Sequence, residues 1–339
     1  MLTYAIVGFG GLGKSHFSNY PRTYKQTGEA KLVAICDIDE SRFVTQTATN
    51  LDEGPTDLNL SEFNLYTDVD EMLDKEKIDF VITALPTYLH EQIDVKIMKR
   101  GIHVFSEKPM AINLEQAENM LKVAKENNVK LMIGQVCRHE PQYKVLKEAI
   151  DSGKYGKVIS ARFDRHAGTP IWGWQNWYCD EEKSGGCVMD LHCHDTDMVS
   201  WLFGTPDYVT STATHFKTGF DTINTSYVYS DKIVTSRGDW AAPSESYDAF
   251  SYSFTVHFEK ATIEYRRNNP IYLYEEFTKS ILQEPEDTHQ LDEERDFMRC
   301  ILEDRESDIL PPESSYETIR IVMAEKESAK KGGEKVYLK

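Results

Sequence analysis

A short, mostly apolar run followed at once by a glycine triplet sets the terms for this chain. Leu2-Thr3-Tyr4-Ala5-Ile6-Val7 reads as a buried strand, Gly8-Phe9-Gly10-Gly11-Leu12-Gly13 follows directly, and Lys14–Tyr20 can open a helix. Strand, G-x-G-x-x-G and helix in that order are the context in which the motif means dinucleotide binding. Gly8 allows the tight turn, Gly10 lets backbone approach a pyrophosphate, and Gly13 lets helix pack on strand. The exposed N–H groups and dipole at the helix start then hold phosphate charge.

A second feature strengthens the first. Lys31-Leu32-Val33-Ala34-Ile35-Cys36 reads as another buried strand and ends at Asp37, roughly twenty positions beyond the glycines, where an acid accepts hydrogen bonds from an adenosine ribose. Asp37 also repels a 2′-phosphate, so NAD is expected in preference to NADP, with Asp39 a nearby competitor for the role.

The first third of the chain alternates strand-like and helix-like stretches. Helical character is expected over 41–50, 69–75, 88–100 and 114–127, and strands over 63–66, 78–83, 102–105 and 130–134. Such alternation predicts a parallel sheet with helices on both faces. Beyond Gln135 the pattern changes. One helix over 141–151 precedes long alternating stretches at 157–165, 208–216, 222–229, 232–238, 250–258 and 261–265, as in an antiparallel sheet with one covered face. Late helices are expected over 291–303 and 313–330, then a strand over 335–338. Two domains follow, 1–134 and 135–339.

Charge and cysteine usage bound the partners. A formal charge of −18 lacks the basic footprint that nucleic acid or an anionic membrane requires. Six cysteines, at 36, 137, 179, 187, 193 and 300, show no framework spacing, which suits free thiols in a reducing compartment. No apolar run approaches the roughly 20 residues of a membrane span. The expectation is a cytoplasmic protein acting on a small molecule.

Three clusters could carry chemistry. Ser106-Glu107-Lys108-Pro109 follows a candidate strand at its carboxyl end, where ligands of parallel sheets sit. Lys108 is there either a proton donor and acceptor or an ordinary turn lysine. In Ser184–Asp197, Asp190, His194 and Asp197 are spaced to share one helix face. They form either a histidine base with its carboxylate or a partly buried polar cluster. Cys179, Cys187, His192, Cys193 and His194 crowd together without a familiar paired zinc spacing, so no metal is expected. Trp172, Trp174, Trp177 and Tyr178, with Gln175 and Asn176 between them, suit a sugar's faces and hydroxyls or else a core or subunit interface.

Taken together, the motifs resemble the Gfo/Idh/MocA oxidoreductase family, the glucose–fructose oxidoreductase and inositol dehydrogenase relatives. The resemblance runs through Gly8-x-Gly10-x-x-Gly13, Ala84-Leu85-Pro86-Thr87-Tyr88-Leu89-His90, Glu107-Lys108-Pro109, Arg138-His139-Glu140-Pro141 and Gly185-Gly186-x-x-x-Asp190-x-x-x-His194-x-x-Asp197. It implies an α/β chain: an N-terminal Rossmann domain plus a C-terminal α/β domain with a large open, mainly antiparallel sheet used for association as a dimer or tetramer. It implies NAD(P)-dependent hydride transfer on a sugar or cyclitol, with Lys108, His194 and Asp190 catalytic. The implied cofactor contacts are Gly8, Phe9, Gly10, Gly11, Leu12, Gly13, Asp37, Arg42, Leu85, Pro86, His90, Glu107 and Lys108. The implied substrate contacts are Lys108, Arg138, Trp172, Trp177, Asp190 and His194. His192 and Cys193 stand where many relatives carry a small residue, which is expected to alter the pocket. A non-catalytic NAD and sugar sensor and an NAD-dependent glycosidase are the alternatives.

Overall fold

The computed structural model describes residues 1–45, 59–243, 250–284 and 291–339, and these form two compact units. The chain passes from the first to the second after Gly134, and 290–313 returns to the first. The expected continuous second domain over 135–339 is corrected accordingly.

The first unit is built on six parallel strands: β1 (Leu2–Val7), β2 (Ala30–Cys36), β3 (Asn64–Tyr66), β4 (Phe80–Thr83), β5 (His103–Glu107) and β6 (Leu131–Gly134). Their spatial order is β3-β2-β1-β4-β5-β6. The order reverses between β1 and β4, and ligands of such sheets bind beyond the carboxyl ends at that switch. Apolar runs covered on both faces drive these strands, and every residue of β4 is buried. Polar caps start the crossover helices: Asp68 accepts from Glu71 N at 2.8 Å, and Asn113 from Gln116 N at 2.9 Å. Where a helix was expected over 41–50, Glu40–Phe43 form a 3₁₀ turn, and 46–50 lie outside the described residues.

Aromatic packing explains the return of 290–313. Phe297, on helix Leu291–Glu303, meets Phe80 and Phe105 edge-on at 5.6 and 5.8 Å between ring centroids. Met298, Cys300 and Leu310 join the same core. An amphipathic helix reads the same in sequence whichever core it covers, so the periodicity found this helix but not its home.

The second unit carries a nine-stranded sheet: β7 (Val158–Gly168), β8 (Tyr208–His215), β9 (Phe220–Val228), β10 (Ile233–Ala242), β11 (Ser251–Phe258), β12 (Thr262–Arg266), β13 (Ile271–Glu275), β14 (Thr278–Gln283) and β15 (Val336–Tyr337). Its order is β14-β13-β12-β11-β7-β10-β9-β8-β15. Among the described strands only β7 and β10 pair in parallel. Alternating burial along β9, β10 and β11 marks one covered face, packed with Leu146, Met198, Leu202, Ile321 and Ala324. Ile159 and Ile233, at outward positions of β7 and β10, are exposed. The β13–β14 hairpin was not expected. β14 is largely exposed and polar, so backbone pairing rather than an apolar pattern defines it.

Candidate active site

The glycine loop sorts its glycines by who needs them. Gly8 has φ +89°, and a Cβ there would lie 2.4 Å from Ala84 O. At Gly13 a Cβ would lie 1.9 Å from Gly8 O. Both are demanded by the fold itself. A Cβ on Gly10 would meet nothing within 4 Å. The fold does not require a glycine there, whereas a ligand approaching the backbone would. Helix Gly11–Asn19 starts at this point with no side-chain cap and no acidic residue in its first turn, which leaves its donors suited to phosphate. A dinucleotide pyrophosphate fits this cradle.

Phe9 contributes differently from expectation. Its ring is fully buried against Phe17, and its N–H donates to Asp37 Oδ2 at 2.6 Å. Asp37 Oδ1 accepts from Asp39 N at 2.9 Å. The carboxylate therefore stands at the glycine loop, and each oxygen has a second lone pair for a diol. Arg42 lies 3.4 Å from Asp39. Lys14, which the sequence did not single out, is buried beside them with Nζ 2.5 Å from Thr45 O. Burial and the Arg42 charge lower its pKa to about 8.

The carboxyl ends of β4 and β5 are joined by histidine. Leu85 and Pro86 are half-buried beside Gly8. His90 is fully buried, with Nδ1 2.9 Å from Pro109 O and Nε2 2.8 Å from Leu85 O. Its ring is thereby a brace between two backbone segments. Glu107 is likewise buried. Its Oε1 lies 2.8 Å from His16 Nε2, and its Oε2 accepts from Lys108 N at 3.2 Å. His16 Nδ1 lies 2.6 Å from Glu294 Oε1, whose carboxylate also accepts from Asn19 and Tyr24. Burial pulls the His16 pKa down, but the two carboxylates outweigh it and raise it to about 10. Lys108 itself is half-buried, and its bond to Pro109 is cis.

The Asp190–His194 segment is not one straight helix. Helix Gly186–Asp190 ends, the chain turns through Leu191 and His192, and a second helix spans Cys193–Phe203. Leu191 N and His192 N both donate to Cys187 O, at 3.0 and 2.8 Å. The expected shared face of Asp190, His194 and Asp197 is thus broken. From Ser184 to Val199 every residue is buried except Asp190 and His194, which are half-buried. Asp195 pairs with Arg165 at 2.9 Å, Thr196 with Glu325 at 3.0 Å, and Asp197 with Arg138 at 2.6 Å. His194 Nδ1 lies 3.7 Å from Cys137 Sγ, a thiol that burial pushes well above its ordinary pKa.

Arg138 is held by a buried carboxylate. Its guanidinium is 2% exposed, grips both Asp197 oxygens and donates to Ser314 Oγ at 2.9 Å. Thr318 Oγ1 donates to the same carboxylate at 2.8 Å. Arg138 thus anchors helices. The His192 and Cys193 side chains are both buried. A Cβ on Gly238 of β10 would lie 2.6 Å from His192 Cβ, so a missing side chain on the sheet accommodates the large one on the helix. Trp177 is buried and stacked on Tyr178 at 3.9 Å, whereas Trp172 is half-buried. Between them Gln175 and Asn176 both adopt positive φ, at 51° and 54°, a conformation that costs about 1–3 kcal/mol per residue.

All six cysteines are free thiols, and among the described residues no three His, Cys, Asp or Glu side chains gather to hold a metal ion. No described helix is long and apolar enough to cross a membrane.

Residues 2–135 match the family model described as oxidoreductase family, NAD-binding Rossmann fold, and residues 143–264 match the GFO/IDH/MocA C-terminal domain. The chain is similar to 2,7-anhydro-N-acetylneuraminate hydratase of Mediterraneibacter gnavus, 31% identical over 216 residues, covering 62% of this chain and 51% of that protein. It is also similar to myo-inositol 2-dehydrogenase of Thermotoga maritima, 29% identical over 200 residues, covering 59% and 54%. The chain spans about half the length of the curated relatives it matches. Among solved structures, levoglucosan dehydrogenase in complex with NADH and levoglucosan shares the fold, with a TM-score of 0.82 over 99% of each chain at 19% identity.

Proposed function

The chain belongs to the Gfo/Idh/MocA oxidoreductase family, and we propose that it moves a hydride between NAD and a secondary alcohol or ketone of a sugar, sugar derivative or inositol. What supports this most is selective exposure: in a segment otherwise wholly buried, the acid–base pair Asp190 and His194 is what the fold leaves accessible. Bound NAD supplies the hydride acceptor. Gly10 to Gly13 hold its pyrophosphate and Asp37 its adenosine ribose. Asp37 favours NAD over NADP, while Lys14 and Arg42 narrow the margin. His194 Nε2 takes the hydroxyl proton as the C–H bond breaks, and Asp190 stabilises the resulting imidazolium. Lys108 donates to the oxygen as it becomes a carbonyl. The exposed sheet face with Ile159 and Ile233 supports association of like chains.

The test is nicotinamide fluorescence with NAD or NADP and a panel of inositols, sugars and nucleotide sugars. Lys108→Ala and His194→Ala should each lower turnover about 10²–10⁴-fold and leave the NADH dissociation constant within about threefold. Equal losses of turnover and cofactor affinity would refute the assignment.

The hydratase relative favours a second reading. Hydride would be removed and later returned to the same sugar, so product forms without net NADH. Sugar consumption with tightly held NAD and no fluorescence change selects it.

A further inference from the structure

Lys108 lies between two residues that are each held by a buried histidine. On its amino side, Glu107 Oε1 is 2.8 Å from His16 Nε2, and Glu107 Oε2 accepts from the amide of Lys108 itself at 3.2 Å. On its carboxyl side, Pro109 O is 2.9 Å from His90 Nδ1. Both imidazoles have no exposed surface. We propose that His16 and His90 are positioning residues that clamp the Glu107–Pro109 loop from both sides and thereby fix where Lys108 presents its ammonium. The proposal rests on the hydride-transfer reading for its kinetic consequences, but not for its geometry.

The donor count argues for a clamp rather than for filler. His16 stands between two carboxylates and His90 between two carbonyl oxygens. Carbonyls and ionised carboxylates only accept. Satisfying both His16 contacts therefore needs a proton on each of its ring nitrogens, in line with its raised pKa of about 10. Glu294 is held beside His16 by Tyr24 and Asn19 as well. Asp94 lies one turn after His90, and burial raises its pKa to about 6. Four segments converge on the loop in this way: helix Gly11–Asn19 through His16, helix Leu291–Glu303 through Glu294, helix His90–Met98 through its first residue, and the β4 end through Leu85 O. A ring bonded through both nitrogens tolerates little displacement. Packing alone would be satisfied by an apolar ring of similar size.

A lysine in fixed geometry can be read directly. Native protein is reductively methylated with ¹³C-formaldehyde, and Lys108→Arg identifies the Lys108 resonance. In the wild type this resonance is expected to be single and narrow. In His16→Gln and His90→Gln it moves or splits, while thermal unfolding shows both variants folded. With a substrate in hand, each variant loses about 100-fold in kcat, the scale of a 1 Å misplacement. KM and the NADH dissociation constant stay within about threefold. In a Lys108→Ala background neither substitution lowers kcat further, because residues acting through one group are not additive. Should His16→Gln fail to fold by leaving Glu107 uncompensated, the paired His16→Gln, Glu107→Gln change removes both charges and carries the same measurements. An unshifted Lys108 resonance, or losses that add to that of Lys108→Ala, overturns the clamp. Absence of turnover on every polyol in the wild type would refute the dehydrogenase reading instead, and the resonance would still decide the clamp.

Discussion

Replacing Gly10 and Gly13 by alanine, one at a time, separates what the glycine loop does for the fold from what it does for a ligand. At Gly13 the added Cβ lies 1.9 Å from Gly8 O. Restoring ordinary contact moves helix Gly11–Asn19 away from β1 by about 1.5 Å, and neither atom belongs to a flexible side chain. Overpacking of this kind costs about 3 kcal/mol, which lowers the melting temperature of the first unit by roughly 6–12 °C. At Gly10 the same methyl enters open space with φ −74°, an ordinary value for alanine. Stability there changes by no more than about 0.5 kcal/mol. The methyl instead occupies the approach of a pyrophosphate to an uncapped helix start. NADH affinity should fall at least tenfold, about 1.4 kcal/mol. Circular dichroism melting and NADH fluorescence titration on both variants decide the matter. If Gly10→Ala binds NADH as the wild type does while folding normally, the pyrophosphate does not approach there. If it melts as low as Gly13→Ala, the space at Gly10 is not open.

Two further outcomes follow from buried charge. Arg138→Ala leaves the Asp197 carboxylate buried without its cation and should cost about 3–5 kcal/mol in a denaturant midpoint. A variant with an unchanged midpoint and a raised KM would return Arg138 to the substrate contacts. For His16 the folded-state pKa of about 10 lies above the ordinary 6.5. Its stabilisation is therefore complete below pH 6.5 and is lost as pH rises through 10. The melting-temperature gap between wild type and His16→Gln should be widest near pH 6 and close towards pH 10, and a gap constant across that range refutes the ion-pair account.

The parallel sheet was legible because buried strands and period-switching helices leave strong apolar signals, and because Gly8, Gly10 and Gly13 constrain the backbone locally. Residue identity also marked Lys108, Asp190 and His194 as candidates. Which motif residues are structural was not legible, since that depends on partners remote in sequence. Arg138 meets an aspartate 59 positions away, and His16 meets a glutamate 278 positions away. Neither partner can be named from the sequence around the residue. The room for the His192 side chain was hidden for a related reason: it comes from Gly238, a missing side chain on a distant strand. The β13–β14 hairpin was hidden because β14 buries almost nothing.

The return of 290–313 to the first unit bears on how the chain is made. Domains ordinarily fold in order as they leave the ribosome. Here residues made early in the unit wait for much later ones, since Phe80 and Phe105 gain the Phe297 ring only after about 190 more residues have been joined. Throughout that interval the nascent first unit presents an apolar surface, and its His16–Glu107 pair lacks Glu294. Holding that surface is work for a chaperone. A premature stop anywhere before Leu310 would injure a core whose other residues lie far upstream of the stop.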